Sequence, residues 1–354
     1  MLGTLLGIGI RFVERGWVPD AGTRLAIRKL CAQRLADPEA TTHPDRQAAR
    51  TRFLESLHTG PIALVPELAN DQHYELPAEF FSLVLGPHRK YSSCLFANPQ
   101  TSLGDAEAAA LAETCEHANL QDGQDILELG CGWGSLSLWM AEHYPQSRIT
   151  AVSNSASQRQ FIEAEAQKRN LTNLRIVTAD MNDFEATPGQ YDRVVSVEMF
   201  EHMRNYERLL QRVAQWLRPD GRLFVHHFCH KTLLYEFETE GSANWMGQHF
   251  FTGGLMPSEK LLHRFSAFQV ERQWSWGGQH YQQTAECWLK NLDQYRPAIL
   301  EILATAYGPD QAVQWFHRWR IFMLAVSELF GYANGKEWFV THLLMKPIPP
   351  ARQS

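Results

Sequence analysis

The stretch "ILELGCGWGS", Ile126 to Ser135, decides how this 354-residue chain is read. Ile126 to Leu129 form a short apolar strand, the glycines make a turn, and "WGSLSLWMAEHY" continues at helical spacing. The alternation persists on the C-terminal side. "RITAVS" (148–153) reads as a strand, "SASQRQFIEAEAQKRN" as a helix, and "LRIVTAD" and "YDRVVSVE" as strands. "YERLLQRVAQWLRPDG" reads as a helix ending at Pro219-Asp220-Gly221, and "RLFVHHF" is the next strand. Strands alternating with helices imply an α/β fold with a doubly wound, mostly parallel sheet. "FQVERQWSW" (268–276) and "EWFVTHLLMK" supply a sixth and a seventh strand, with two helical stretches, about 281–306 and 310–331, between them.

The expected organisation has three parts. Residues 1–100 form a mostly helical extension contributing to a lid. Residues 101–230 form a Rossmann-like cofactor-binding core, and 231–354 hold lid and substrate-binding helices with the last two strands. Residues 231–265 read as an insertion.

Composition narrows the function classes. With 44% hydrophobic and 20% charged residues the chain reads as an ordinary globular protein, and a net charge of -6 with no basic run argues against a nucleic-acid partner. Six scattered cysteines without CxxC spacing suggest neither a zinc knuckle nor a disulfide framework, so a reduced, cytoplasmic setting is expected. The apolar start "MLGTLLGIGIRFVERG" is too short to span a bilayer and is expected to pack on the protein, without stable membrane insertion. The sequence leaves the oligomeric state open, with a homodimer among the options. Of fifteen histidines, the densest cluster is "HHFCH" (226–230); neighbours in a strand face opposite ways, so no metal site is expected there. Cys131 has no base beside it in sequence and is taken as structural.

Open parallel sheets bind ligands beyond the carboxyl ends of their strands. Gly130 and Gly132 allow close approach of backbone to ligand, and Glu128 before them suits an ammonium better than a pyrophosphate. Asn154 and Gln158 follow the second strand, where ribose hydroxyls would be held. Asp180 and Met181 end the third, placed for an adenine amino group and ring face. S-adenosylmethionine fits these positions, whereas NAD more usually has an acid after the second strand.

The segment "VSVEMFEHMRNYERLL" (195–210) puts Glu198, Glu201 and His202 past the fourth strand. If helix begins early, these three and Asn205 share one face toward the cofactor methyl. Carboxylates attract a cationic amine, and a carboxylate or imidazole can take its proton. The competing reading is solvated helix-start charges with a packing histidine.

At these motifs the chain resembles the S-adenosylmethionine-dependent methyltransferases that include cyclopropane fatty acid synthases and coclaurine N-methyltransferase. "YSSCLF" (91–96), "ELGCGWGSLSL" (128–138), "VSVEMFEHM" (195–203) and "FFTGGLMPS" (250–258) carry the broad likeness. "AVSNSASQ" (151–158), "EMFEHMRNYE" (198–207), "CHKT" (229–232) and "FGYANGKEWFVTH" (330–342) resemble the coclaurine-type branch. The likeness covers about residue 85 to the end, and more loosely the N-terminal helices.

It implies a class I methyltransferase fold, S-adenosylmethionine as cofactor with Tyr91 and Ser92 helping to bind it, and catalytic roles for Glu198, Glu201 and His202. The implied substrate is a small aromatic or heterocyclic, tetrahydroisoquinoline-like amine. The alternative is methylene transfer to an unsaturated acyl chain, with bicarbonate held by Glu201, His227 and Tyr281. There the family's cysteine position falls on Ser93, with Cys94 displaced by one. A second glutamate at 198 favours an amine. Ser93, His227, Phe251 and Tyr281 are the expected pocket residues.

Overall fold

A computed structural model describes residues 2–36, 44–64, 76–241 and 244–349, apart from the side chains of 2–6 and 44–47. The polar stretch "TTHPDRQAARTRFLESLHTG" (41–60) therefore begins outside the described residues. Helices α1 (Leu2–Glu14), α2 (Asp20–Ala36), α3 (Pro44–Ser56), α4 (Ala78–Val84) and α5 (Leu103–His117) precede the first strand.

From there the alternation runs β1 (Asp125–Leu129), α6 (Ser135–His143), β2 (Arg148–Ser153), α7 (Ala156–Lys168), β3 (Leu174–Thr178), β4 (Tyr191–Val197), α8 (Tyr206–Trp216) and β5 (Leu217–His230). The segment read as an insertion holds a two-stranded sheet, β6 (Tyr235–Glu236) with β7 (Leu255–Met256), and α9 (Trp245–His249) between them. β8 (Phe268–Trp276), α10 (Gly278–Gln294), α11 (Arg296–Tyr307), α12 (Pro309–Gly331) and β9 (Trp338–Pro347) complete the chain.

The main sheet has seven strands in the order β3-β2-β1-β4-β5-β9-β8. β1 to β5 pair in parallel, and β9 enters antiparallel between β5 and β8. β1 is buried along its whole length, as expected where helices cover both faces. Strand order reverses between β1 and β4, so the switch point falls at the glycine turn.

Two boundaries differ from expectation. α8 stops at Trp216 rather than at Pro219, because a residue before proline is driven out of the helical region and Arg218 precedes Pro219. Leu217 instead pairs with Tyr191, and a bulge follows before Arg193 meets Arg222. The stretch 281–306 is two helices broken at Tyr295, with Pro297 in the first turn of α11, where its missing N–H is harmless.

An apolar cluster joins α4, α10, α11 and α12 to the end of β5 and to Trp133 of the glycine turn. α1 lies on α12, and its Glu14 accepts from Trp245 Nε1 at 2.9 Å, Gln314 Nε2 at 2.8 Å and Arg318 Nε at 3.1 Å. The N-terminal helix thus packs on the protein through Ile10 and Glu14, while Ile8 and Phe12 face outward. α2 is tied down by Arg24, which bridges Glu286 at 2.5 Å and Glu328 at 2.9 Å. Among the described residues no helix is long and apolar enough to cross a membrane.

Candidate active site

The turn after β1 is built from Gly130, Gly132 and Gly134, with φ of 80°, 50° and 79°, values that favour glycine. Their roles differ. A Cβ on Gly130 would meet Met199 at 2.6 Å and one on Gly134 would meet Ile162 at 2.6 Å, so both are packing glycines. A Cβ on Gly132 would meet nothing within 4 Å, because it would project into open space. That space is a cavity of about 160 Å³ at the strand ends.

All eight residues expected at the cofactor line this cavity: Tyr91, Ser92, Gly130, Gly132, Asn154, Gln158, Asp180 and Met181. Glu128, Glu198 and His202 line it too. Glu128 is buried and accepts from Ser137 Oγ; burial pushes its carboxyl up to about 7, against the hydroxyl's pull downward. Ser153 Oγ donates to Gln158 Oε1 at 2.6 Å, leaving Gln158 Nε2 buried and without a protein partner. A buried donor of this kind is rare unless a ligand takes it. The open space at Gly132, the Glu128 carboxylate and the orphaned Gln158 amide together fit S-adenosylmethionine.

Three contributors escaped the sequence reading. Lys90 is fully buried at the cavity wall, with Nζ donating to Ser92 Oγ at 2.5 Å and Ser93 O at 2.6 Å. Burial lowers its pKa, partly offset by the acidic groups around it. Glu107 of α5 accepts from the backbone N–H groups of Gly86, His88 and Lys90 at 3.0, 2.8 and 3.1 Å, clamping the segment that carries Tyr91 and Ser92. His342 of β9 lies beside His226, its Nε2 2.8 Å from His226 Nδ1. A lysine directly before "YSSCLF" and an acid within an alanine-rich helix were the available signals.

The segment 198–205 departs from the expected helix. Glu198 is a non-glycine residue at φ 49°, in a left-handed turn held by its N–H donating to His226 O at 2.8 Å. Glu201 and His202 follow in a 3-10 turn, and Asn205 caps α8 while donating to Gly60 O at 2.8 Å. The four residues therefore share no helix face, because the turn at Glu198 aims its side chain separately from the rest.

Glu198 accepts from Ser93 N–H at 3.0 Å and Tyr281 Oη at 2.6 Å, with His226 Nε2 at 3.2 Å. Burial raises its pKa, opposed by Lys90, Tyr281, Ser93 and His202. Glu201 lines neither cavity: Oε1 accepts from Phe228 N–H at 2.7 Å and Oε2 is buried without a partner. Burial, reinforced by the Glu198 charge, drives its pKa far up. Burial pulls His202 down to about 4, so its ring is neutral, and the ring stacks on Phe251 at 5.3 Å and 7°.

Phe251 and Tyr281 line a second cavity of about 580 Å³, walled also by Phe228, Tyr235, Phe330 and Trp338. The Tyr281–Glu198 hydrogen bond and the His202–Phe251 stack join the walls of the two cavities. Ser93 and His227, expected in the pocket, are buried and line neither cavity; His227 Nδ1 pairs with Phe228 O at 3.0 Å, and its Nε2 has no partner. Burial lowers His227 to about 4. Among the described residues no group of three or more His, Cys, Asp or Glu is placed to hold a metal.

This sheet order, with a glycine turn at the switch point and the cavity beyond it, defines a class I S-adenosylmethionine-dependent methyltransferase. A family model described as mycolic acid cyclopropane synthetase matches residues 66–333, and the chain belongs to that family. Over 342 residues it is 39% identical to the (S)-coclaurine N-methyltransferase of Thalictrum flavum subsp. glaucum, covering 95% of this chain and 94% of that one.

A crystal structure of coclaurine N-methyltransferase bound to N-methylheliamine and SAH superposes with a TM-score of 0.88 at 38% identity, covering 97% of this chain and 99% of that one. The cyclopropane-fatty-acyl-phospholipid synthase of Escherichia coli (strain K12) is 30% identical over 66% of this chain and 59% of its own length. The protein is therefore an enzyme that uses S-adenosylmethionine.

Proposed function

We propose that this enzyme N-methylates a small aromatic or heterocyclic amine of the tetrahydroisoquinoline kind. The observation that carries this is Glu198, whose carboxylate faces the cofactor cavity while Tyr281 ties it to an aromatic-lined second cavity. The relatives' N-methyltransferase activities support the same reading.

Bound S-adenosylmethionine supplies a methyl group on a sulfonium. The chain's task is to deliver a neutral amine in line with that methyl, since an ammonium has no lone pair. The second cavity holds the apolar body of the amine, with aromatic faces that also favour a cation on entry. Glu198 attracts the ammonium and takes its proton; burial raises its pKa, which makes it a stronger base than an exposed carboxylate. Glu201, whose pKa is driven up by burial and by the Glu198 charge, supports the turn through Phe228. Neutral His202, stacked on Phe251, orients the acceptor between the cavities. Gln158, Asp180 and Met181 hold the nucleoside end, Glu128 the ammonium, and Tyr91 and Ser92 close over the cofactor.

The six cysteines are all free, which supports a reducing, cytoplasmic setting. The test is methyl transfer from labelled cofactor to a panel of tetrahydroisoquinolines, simple amines and unsaturated phospholipids. Label should enter the cyclic amines; label in lipid alone overturns the proposal and revives the acyl chemistry that Glu201, His227 and Tyr281 would serve.

A further inference from the structure

Lys90 is 2% exposed, and its ammonium donates to two neutral oxygens, Ser92 Oγ at 2.5 Å and Ser93 O at 2.6 Å. A buried charge resting on neutral partners is costly, so its presence asks for a use. Attraction of a ligand does not supply one. Lys90 lines the cavity that takes the sulfonium, and its charge opposes both that cation and an incoming ammonium.

The contacts lead instead to Glu198. Lys90 Nζ holds Ser93 by its carbonyl, and the Ser93 N–H donates to Glu198 Oε1 at 3.0 Å. The next residue, Cys94, donates its N–H to Thr284 Oγ1 of α10 at 3.0 Å. Thr284 lies one turn beyond Tyr281, whose hydroxyl donates to Glu198 Oε2 at 2.6 Å. Upstream, Glu107 accepts the Lys90 N–H at 3.1 Å. The segment is thus fixed at both ends, and the lysine side chain braces the turn between them. One oxygen of Glu198 is held by that turn and the other by α10.

Titratable groups from several elements surround Lys90 and Glu198. Cys94 comes from the same segment as Lys90, Glu107 from α5, and Glu201 and His202 from the 3-10 turn. His226 and His227 come from β5, His342 from β9 and Tyr281 from α10. Burial holds all four histidines below their ordinary value, which leaves Lys90 as the standing positive charge. Burial lowers Lys90 as well, with Cys94, Glu198 and Glu107 acting against it. At Glu198 burial raises the pKa, and Lys90 is the largest influence that lowers it.

We propose that Lys90 is a positioning residue for Glu198: a buried cation that sets the Ser93 N–H on Oε1 and keeps that side chain a carboxylate, ready for the acceptor's proton. This rests on the role given to Glu198 in the N-methylation reading above.

The test is Lys90→Met, which keeps the unbranched apolar stem without the charge, alongside Lys90→Gln, which also keeps a donor for Ser93 O. Cofactor affinity is measured by calorimetry, and kcat/KM for a cyclic amine is followed against pH at saturating cofactor. In both variants the acid limb should move up by about one pH unit. A merely structural lysine would lower activity evenly across pH and leave the limb in place. Acid limbs that superimpose on the wild type overturn the proposal. So does a loss of cofactor affinity with the limb unmoved, which assigns Lys90 to the cofactor's carboxylate.

An arm independent of the acceptor is ¹³C NMR of protein labelled at its glutamate carboxyl carbons, with Glu198 assigned by the signal lost in Glu198→Gln. The Glu198 titration should move up by the same amount in Lys90→Met and Lys90→Gln, and an unmoved titration overturns the proposal. A wild type inert toward every amine counts against the function proposed above, and the NMR arm then decides the role of Lys90.

Discussion

Replacing Tyr281 by Phe removes one hydroxyl and should shift the pH dependence of methyl transfer upward. That hydroxyl donates to Glu198 Oε2 at 2.6 Å in a buried site. A hydrogen bond to a charged group contributes about 1.5–3 kcal/mol. One pKa unit corresponds to about 1.4 kcal/mol, so its loss raises the Glu198 pKa by about 1–2 units. The proposed active form is the carboxylate. The acid limb of kcat/KM against pH should therefore move up by that amount. The ring survives the substitution, including its stack on Phe330 at 4.4 Å, so packing changes little. The assay is kcat/KM across the pH range for both proteins, with cofactor affinity measured alongside. Superimposable acid limbs would refute the role given to Glu198.

Gly132→Ala should weaken cofactor binding about tenfold by calorimetry, because the methyl enters the cofactor space from a left-handed residue; unchanged affinity would count against the placement. Glu128→Gln should stabilise the cofactor-free protein at pH 8 while weakening cofactor binding. The folded Glu128 carboxyl sits at about 7 against 4.5 ordinarily, so its contribution is present below pH 4.5 and lost as pH rises to about 7, leaving a penalty of about 3 kcal/mol above that. A lower Tm for the variant at pH 8 would contradict this. Glu107→Gln leaves at least one of three clamped amides without an acceptor, for a loss of about 1–3 kcal/mol. Hydrogen exchange should then quicken at Gly86, His88 and Lys90.

The strand-turn-helix at 126–135 was legible because its pattern is local: a buried run, glycines at positive φ, then a helix. The same holds for the cofactor-lining residues, since in a parallel sheet every strand's carboxyl end opens to one edge and counting strands locates the pocket. Glu198 was legible as a residue of interest but not in its geometry. Its left-handed turn is imposed by contacts with Ser93, Tyr281 and His226, which lie 105, 83 and 28 positions away.

Lys90 reads as an ordinary surface lysine until the fold buries it. The pairing of His226 with His342 across 116 residues depends on the register of β5 against β9, and sequence periodicity carries no register. The shift of Asn205 from site to helix cap has the same origin, because the helix starts later than spacing alone suggested.

Single-turnover methyl transfer by Glu198→Gln, with cofactor bound beforehand and a cyclic secondary amine added, tests most directly whether Glu198 removes the acceptor's proton. The expected result is unchanged cofactor affinity with a rate lowered by about 10²-fold or more at neutral pH. The rate should recover as the pH is raised and the amine sheds its own proton. A variant that transfers methyl at the wild-type rate at neutral pH would contradict it.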